Sequence, residues 1–197
     1  MPRFEYFFDY VSPFAYLADT QLPALLQRTG AEIVYRPFLL GGVMQATKNS
    51  PPINVPSKGK HMFTDLNRWA KRYRVELNPS PHFPVNTLHA MRAAVAALGD
   101  PRFGDFHRAM FRAVWVEGRN LGDEAELRAA IDAAGLDGAA LLARSKEADV
   151  KDALRRNSDE AVERGAFGAP TFFVGDEMFW GNDRLDFLEE ALRAGAS

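Results

Sequence analysis

The chain has 197 residues, of which 47% are hydrophobic and 25% charged, and its formal net charge is −2. This composition is typical of an ordered globular protein, and the interspersed charges exclude the basic surface that nucleic acids or anionic membranes require. No run approaches the ~18 apolar residues of a membrane span, so we expect a soluble, cytoplasmic protein whose partner is a small molecule or a second copy.

The pattern of the first 37 residues predicts a β-α-β unit. Phe4 to Phe8 are aromatic and typical of a strand. Ser12 and Pro13 then mark a helix start, with a hydroxyl N-cap and proline at the first helical position. The pattern predicts one helix that ends near Gly30, followed by a second strand over Glu32 to Pro37.

The middle of the chain predicts a loop followed by helices. The segment from Leu39 to Lys60 is rich in Gly, Pro, Asn and Ser and is too long for a passive turn, so we expect a binding loop. Beyond it, helical periodicity continues for about a hundred residues. Two apolar stripes support this prediction, one of Met62, Leu66, Trp69 and Tyr73 and one of Phe103, Phe106, Met110 and Val114.

The end of the chain returns to strands. Thr171 to Val174 and Met178 to Trp180 predict a hairpin, and a last helix is expected to start at Asn182 or Asp183. The order β-α-β, helices, β-β-α predicts an α/β protein with a thioredoxin-like fold and a large all-helical insertion. We expect residues 1–40 and 165–197 to form the thioredoxin-like domain, and residues 41–164 to form the binding loop and the helical insertion domain.

Candidate site residues lie where strands meet helices. Ser12 stands at a helix amino terminus, where unpaired N–H groups favour an anion or a thiolate, although Ser-Pro taken alone is more often a plain N-cap than a catalytic group. Pro170 precedes a strand, and we predict a cis Ala169–Pro170 bond that frees the Ala169 backbone for a ligand. The alternative is an ordinary trans strand-entry proline.

Other polar residues are weaker candidates. Asn182 and Asp183 suit an ammonium group, but capping the last helix also explains them. Lys58 suits a carboxylate, although an exposed loop lysine is usually solvated. The four histidines lack any metal-ligand spacing, and the chain has no cysteine, so we predict no metal site, no disulfide and no thiolate nucleophile of its own.

The strings FDYVSPFAYLA, NSPPINVPSK, FGAPTFFV and FWGNDR, in this order, resemble the family of 2-hydroxychromene-2-carboxylate isomerases and kappa-class glutathione transferases, relatives of the DsbA disulfide oxidoreductases. Where the oxidoreductases carry Cys-x-x-Cys, this chain has Ser12-Pro13-Phe14-Ala15. Disulfide exchange needs an attacking and a leaving thiolate, so this chain cannot perform it unaided.

The resemblance implies glutathione as the source of sulfur, with Ser12 as the catalytic residue that donates a hydrogen bond to its thiolate. It places Ala169 and Pro170 on the peptide backbone of glutathione, and Asn182 and Asp183 at its γ-glutamyl end. Asn49 and Lys58 match glutathione-binding loop positions of the kappa-class relatives, although Asn54 is a second candidate in that loop.

The resemblance also implies a reaction. In the isomerase interpretation, glutathione adds reversibly to an aromatic substrate, and cyclic 2-hydroxychromene-2-carboxylate becomes trans-o-hydroxybenzylidenepyruvate. The alternatives are a kappa-class-like transferase that keeps the glutathione adduct, and a non-catalytic thioredoxin-like binding module. The Trp-Gly-Asn-Asp form of the last motif favours the isomerase. The oligomeric state stays open, although the proteins that the chain resembles are commonly homodimers.

Overall fold

In the computed structural model, which describes residues 1–195, one mixed sheet has the strand order β2-β1-β3-β4. The strands are β1 (Arg3–Phe8), β2 (Glu32–Pro37), β3 (Thr171–Val174) and β4 (Glu177–Trp180). β1 runs parallel to β2 and antiparallel to β3, and β3 and β4 form a hairpin. All four strands match the sequence predictions. Residues 196 and 197 of the predicted 165–197 segment lie outside the described residues.

The two central strands are buried and aromatic. Phe4, Tyr6, Phe7 and Phe8 of β1 are each at most 1% exposed, because helices cover both faces of the sheet. Tyr6 stacks on Phe172 of β3 with ring centroids 4.9 Å apart. The hydroxyl of Tyr6 donates to the carbonyl of Ala15 at 3.0 Å, which ties the sheet to the first helix.

The single helix predicted after Ser12 is wrong, because two helices occupy this segment. They are α1 (Pro13–Asp19) and α2 (Leu22–Thr29). Pro23 causes the break, since it lacks the N–H that would continue the first helix and its ring clashes with the carbonyl four residues earlier, whereas it is tolerated in the first turn of α2. The predicted end is confirmed, because Gly30 caps α2 in the left-handed conformation, with φ of 64°.

The continuous loop predicted from Leu39 to Lys60 is also wrong. It contains α3 (Leu40–Ala46), a 3₁₀ turn at Pro52–Asn54, and the start of α4 (Pro56–Tyr73). No N-cap residue precedes α3 in the sequence, because the hydrogen-bond acceptor at its start comes from elsewhere in the chain. The carboxylate Oδ2 of Asp9 accepts the Leu40 N–H at 2.9 Å.

The long helical stretch is confirmed beyond this point. It continues with α5 (Leu88–Ala97), α6 (Phe103–Trp115), α7 (Glu124–Ala133), α8 (Gly138–Ser145) and α9 (Ala148–Glu163), and α10 (Leu185–Ala194) closes the described chain. The predicted stripe of α6 is buried as expected. Asn182–Arg184 form a 3₁₀ turn, so the last α-helix starts later than predicted. No helix within residues 1–195 is both long and apolar enough to cross a membrane.

α9 packs against the β2 edge of the sheet. The side-chain amide of Asn157 donates to the Pro37 carbonyl at 2.9 Å, and Arg36 forms an ion pair with Glu160. Arg164, which follows α9, pairs with Glu5 of β1 at 2.6 Å. The helix is therefore fixed to the sheet by polar contacts at both strands.

Truncation of a central aromatic residue should be costly. Phe172→Ala removes a fully buried ring and should lower the unfolding free energy by about 3–5 kcal/mol, because the cavity left behind cannot fully collapse. The matched control is Phe187→Ala, since Phe187 is 54% exposed. We expect the control to lose less than about 1 kcal/mol in urea denaturation. Equal losses in both variants would contradict this assignment of the core.

Candidate functional site

A cavity of about 940 Å³ opens where the ends of β1 and β4 meet helices α3 and α4. Its lining is mainly apolar, with a small set of polar side chains that converge on it. The polar lining residues include Asp9, Ser12, Asn54, Lys58, His61, Asn86, Asn182 and Asp183. An apolar cavity of this size with a few fixed polar groups is typical of a small-molecule site.

Ser12 connects the first helix to the loop before β3. Its Oγ accepts the Ala15 N–H at 3.1 Å, which confirms the predicted N-cap, and it donates to the Ala169 carbonyl at 3.0 Å. Ser12 is 3% exposed and lines the cavity. A hydroxyl carries one proton, so the donor capacity of Ser12 is used by Ala169 in this arrangement.

The Ala169–Pro170 peptide bond is cis, as predicted. Ala169 lines the cavity, whereas Pro170 is buried behind it and its carbonyl accepts the Gly181 N–H at 3.0 Å. The Ala169 N–H has no hydrogen-bond partner among residues 1–195. One backbone donor of this loop is therefore available beside the cavity.

Asn182 and Asp183 follow β4 at the same end of the sheet. Asn182 is 3% exposed, and its amide nitrogen Nδ2 is buried without a hydrogen-bond partner in the described chain. The Asn182 carbonyl accepts the Tyr73 hydroxyl at 2.7 Å, which fixes the backbone against α4. The carboxylate of Asp183 pairs with Arg184 at 2.5 Å and remains 40% exposed.

The predicted loop residues separate into two groups. Lys58 lies on the first turn of α4 and lines the cavity, as does Asn54 of the preceding 3₁₀ turn. Asn49 does not line the cavity. Its side-chain amide donates to the Phe167 carbonyl at 3.0 Å, and it thereby holds the segment that leads to Ala169.

The sequence prediction missed His61, which follows Lys58 by three residues on α4 and lines the cavity. The histidines were considered in the sequence analysis only as metal ligands. In a helix, His61 lies on the same face as Lys58 and Met62, and this spacing was the signal available in the sequence. Trp69, which belongs to the predicted apolar stripe of this helix, also lines the cavity.

Asp9 is the second residue that the sequence prediction missed. It is 1% exposed, lines the cavity and accepts three hydrogen bonds. The donors are the Thr87 hydroxyl at 2.6 Å, the Leu40 N–H at 2.9 Å and the Val11 N–H at 3.1 Å. A carboxylate that directly follows a buried aromatic strand was the available signal.

Burial raises the pKa of the Asp9 carboxyl above its usual value, although the hydrogen bonds from Thr87, Leu40 and Val11 act in the opposite direction. Asp9 is thus a buried acid at the base of the loop that ends in Ser12. Its bonds hold that loop, the start of α3 and the start of α5 together.

A family model described as the DSBA-like thioredoxin domain matches residues 3–193. The chain belongs to the DSBA-like thioredoxin family. It is 40% identical over 190 residues to 2-hydroxychromene-2-carboxylate isomerase of Sphingobium xenophagum, with 95% of this chain and 96% of the relative covered. It is 28% identical over 207 residues to glutathione S-transferase kappa 1 of Caenorhabditis elegans, with 98% and 92% covered.

A solved structure supports the same relationship. This DSBA-like protein matches a structure of 2-hydroxychromene-2-carboxylate isomerase with a TM-score of 0.89 at 30% identity, over 98% of this chain and 96% of the other. The predicted thioredoxin-like α/β fold and the resemblance to the isomerase family are thereby confirmed. Nearly full-length similarity to named enzymes makes this protein an enzyme of the isomerase or glutathione transferase type.

The raised pKa of Asp9 predicts a pH dependence of stability. Because the folded protein binds this proton more tightly than the unfolded chain does, the stability that the Asp9 carboxyl contributes is complete below its usual pKa of 3.8 and is lost as pH rises through the raised pKa of the folded state. The asparagine side chain of Asp9→Asn is uncharged at every pH of this range. The unfolding free energy of wild type minus that of Asp9→Asn should therefore fall as pH rises, by at most about 1.4 kcal/mol per pH unit.

The control for this experiment is Asp176→Asn, because Asp176 is an exposed carboxylate in the β3–β4 turn. Urea denaturation across the acidic pH range measures the unfolding free energy of wild type, Asp9→Asn and Asp176→Asn. A wild-type minus Asp9→Asn difference that rises with pH would show that the three hydrogen bonds outweigh burial.

Proposed function

We propose that this protein is a glutathione-dependent isomerase that interconverts 2-hydroxychromene-2-carboxylate and trans-o-hydroxybenzylidenepyruvate, or a related substrate of aromatic catabolism. The observation that carries the proposal is the buried Ser12 hydroxyl at the cavity, in a chain without cysteine. Ser12 occupies the position of the first cysteine of the Cys-x-x-Cys motif of the oxidoreductases. A site that lacks this sulfur suits a ligand that supplies a thiol.

The polar groups at the cavity suit an extended peptide with charged ends. The unpaired Nδ2 of Asn182 can donate to a carboxylate, and the carboxylate of Asp183 suits the ammonium of a γ-glutamyl group. The free N–H of Ala169 can pair with a peptide carbonyl. Lys58 supplies a cation for a second carboxylate. These donors and acceptors support glutathione as the ligand.

When bound, glutathione would supply a thiolate that adds to the conjugated substrate, converts a double bond into a rotatable single bond, and leaves again. Ser12 would donate its hydrogen bond to that thiolate and so favour the ionised form. Ser12 must then release the Ala169 carbonyl. An amide N–H of the ligand, bound beside Ala169, would replace Ser12 as the donor to that carbonyl.

The length of α1 limits a second source of thiolate stabilisation. α1 has 7 residues, so its macrodipole is small, and the local first-turn N–H groups and the Ser12 hydroxyl carry most of the effect. Substitution of Ser12 should accordingly weaken thiolate formation strongly without abolishing it.

Glutathione accounting tests the proposed reaction. With 2-hydroxychromene-2-carboxylate in excess and substoichiometric glutathione, we expect full equilibration of the substrate and complete recovery of free thiol, because isomerisation regenerates glutathione. Consumption of one glutathione per product would instead identify a conjugating transferase. Conversion that proceeds equally well without glutathione would overturn the proposal.

Ser12→Ala separates the capping role from the role in the reaction. Loss of the cap should lower the unfolding free energy by roughly 0.5–2 kcal/mol with or without ligand. Independently, the pKa of the bound glutathione thiol should rise and turnover should slow, with partial recovery at higher pH. Ultraviolet titration of the thiolate and the pH profile of turnover measure these effects.

Asp123→Ala is the matched control, because Asp123 caps α7 through the N–H groups of Ala125 and Glu126 and does not line the cavity. It should lose comparable stability and leave both the thiol pKa and turnover unchanged. If Ser12→Ala behaves like this control, Ser12 is only a helix cap and the proposed mechanism is wrong.

A further inference from the structure

A second cavity lies behind one wall of the first. It has a volume of about 410 Å³ and is formed by α3, α5 and α9. Leu39, Gly42 and Leu88 line both cavities and form the wall between them. The second cavity is separate from the residues to which we assign glutathione, since neither Ser12 nor Asn182 lines it.

Arg92 of α5 is an uncompensated cation in this second cavity. The residue is half-buried, and its Nε is fully buried without a hydrogen-bond partner within residues 1–195. Burial of a charged donor without a partner is costly. The Nε of Arg36 is likewise buried without a hydrogen-bond partner in that range, but the guanidinium of Arg36 forms ion pairs with both Glu5 and Glu160. No such pair forms at Arg92 in the described chain.

The other charges of the cavity cancel one another. They all come from α9, which contributes Lys151, Asp152, Arg155 and Asp159. Arg155 pairs with Asp152 at 3.1 Å, and Asp159 lies one turn further along the helix. Two cations and two carboxylates sum to zero, so Arg92 gives the lining its net positive charge. The cavity therefore favours an anion.

The rest of the lining decides which kind of anion fits. Aliphatic side chains surround the cavity, namely Leu39, Val43, Leu88, Leu154 and Val162. A fully hydrated inorganic ion gains nothing from such walls, whereas an organic acid buries its apolar body against them. The guanidinium fork matches the geometry of a carboxylate. We propose that this cavity is a binding site for a small organic carboxylate with an apolar body, held by Arg92.

Benzoate and neutral benzamide form a matched pair of probes, because they share size and shape but differ in charge. Amide signals in ¹⁵N NMR spectra report on each cavity separately. Ala46 and Val162 line only the second cavity, whereas Lys58 and Trp180 line only the first. We expect saturable shifts at Ala46 and Val162 with benzoate, and at least tenfold weaker binding of benzamide. Inorganic phosphate should compete poorly.

Arg92→Met removes the charge and keeps the length of the side chain. It should weaken benzoate binding at Ala46 and Val162 at least tenfold. Arg156→Met is the control, because Arg156 is an exposed residue of α9 outside the cavity lining, and its affinity for benzoate should equal that of wild type. Since Arg92 lacks a partner in the described residues, Arg92→Met should fold with at least wild-type stability in thermal unfolding.

Several results would overturn the assignment. Benzoate shifts confined to Lys58 and Trp180 would show that only the first cavity binds acids. Equal binding of benzamide, or benzoate binding unaffected by Arg92→Met, would show that charge recognition by Arg92 is absent. Phosphate that competes as well as benzoate would contradict the organic carboxylate class. A large loss of stability in Arg92→Met would show that Arg92 already has a structural partner.

Discussion

The carboxylate of Asp9 is the interaction on which the geometry of the main cavity depends. One buried side chain accepts hydrogen bonds from the Val11 and Leu40 N–H groups and from the Thr87 hydroxyl. It thereby fixes the loop before α1, the first turn of α3 and the start of α5. Thr87 occupies the N-cap position of α5 but its side chain does not cap that helix, because its hydroxyl is directed to Asp9. Burial of the acid is thus the cost of joining three segments at one point.

Ser12 shows how a single hydroxyl links fold and chemistry. Its acceptor lone pair caps α1 and its proton reaches the Ala169 carbonyl, so it joins two segments separated by 157 residues. The cap does not use the hydroxyl proton, and Ser12 can therefore redirect the hydrogen bond that it donates to another acceptor while the helix stays capped. This division allows one residue to stabilise the apo protein and, in the proposed reaction, a bound thiolate.

Three buried side-chain nitrogens lack a hydrogen-bond partner within residues 1–195, and two of them lie at cavities. Asn182 Nδ2 belongs to the cavity that contains Ser12, and Arg92 Nε belongs to the cavity behind Leu39 and Leu88. In both places a polar group is desolvated without compensation from the described residues, which a ligand acceptor would provide. The two cavities share the wall formed by Leu39, Gly42 and Leu88.

The sequence by itself determined the strands, the two helix stripes, the capping role of Ser12 and the location of Lys58, Ala169, Asn182 and Asp183 at the main cavity, because strand patterning, helical periodicity and N-cap chemistry are local properties. Tertiary structure alone decided the rest. α3 depends on a cap from Asp9, which lies 31 positions earlier, and Asn49 turned towards Phe167 instead of the cavity. The unpaired state of Asn182 and Arg92 likewise depends on which distant groups surround them. Burial and long-range hydrogen bonding are properties of the packed chain, and no local pattern encodes them.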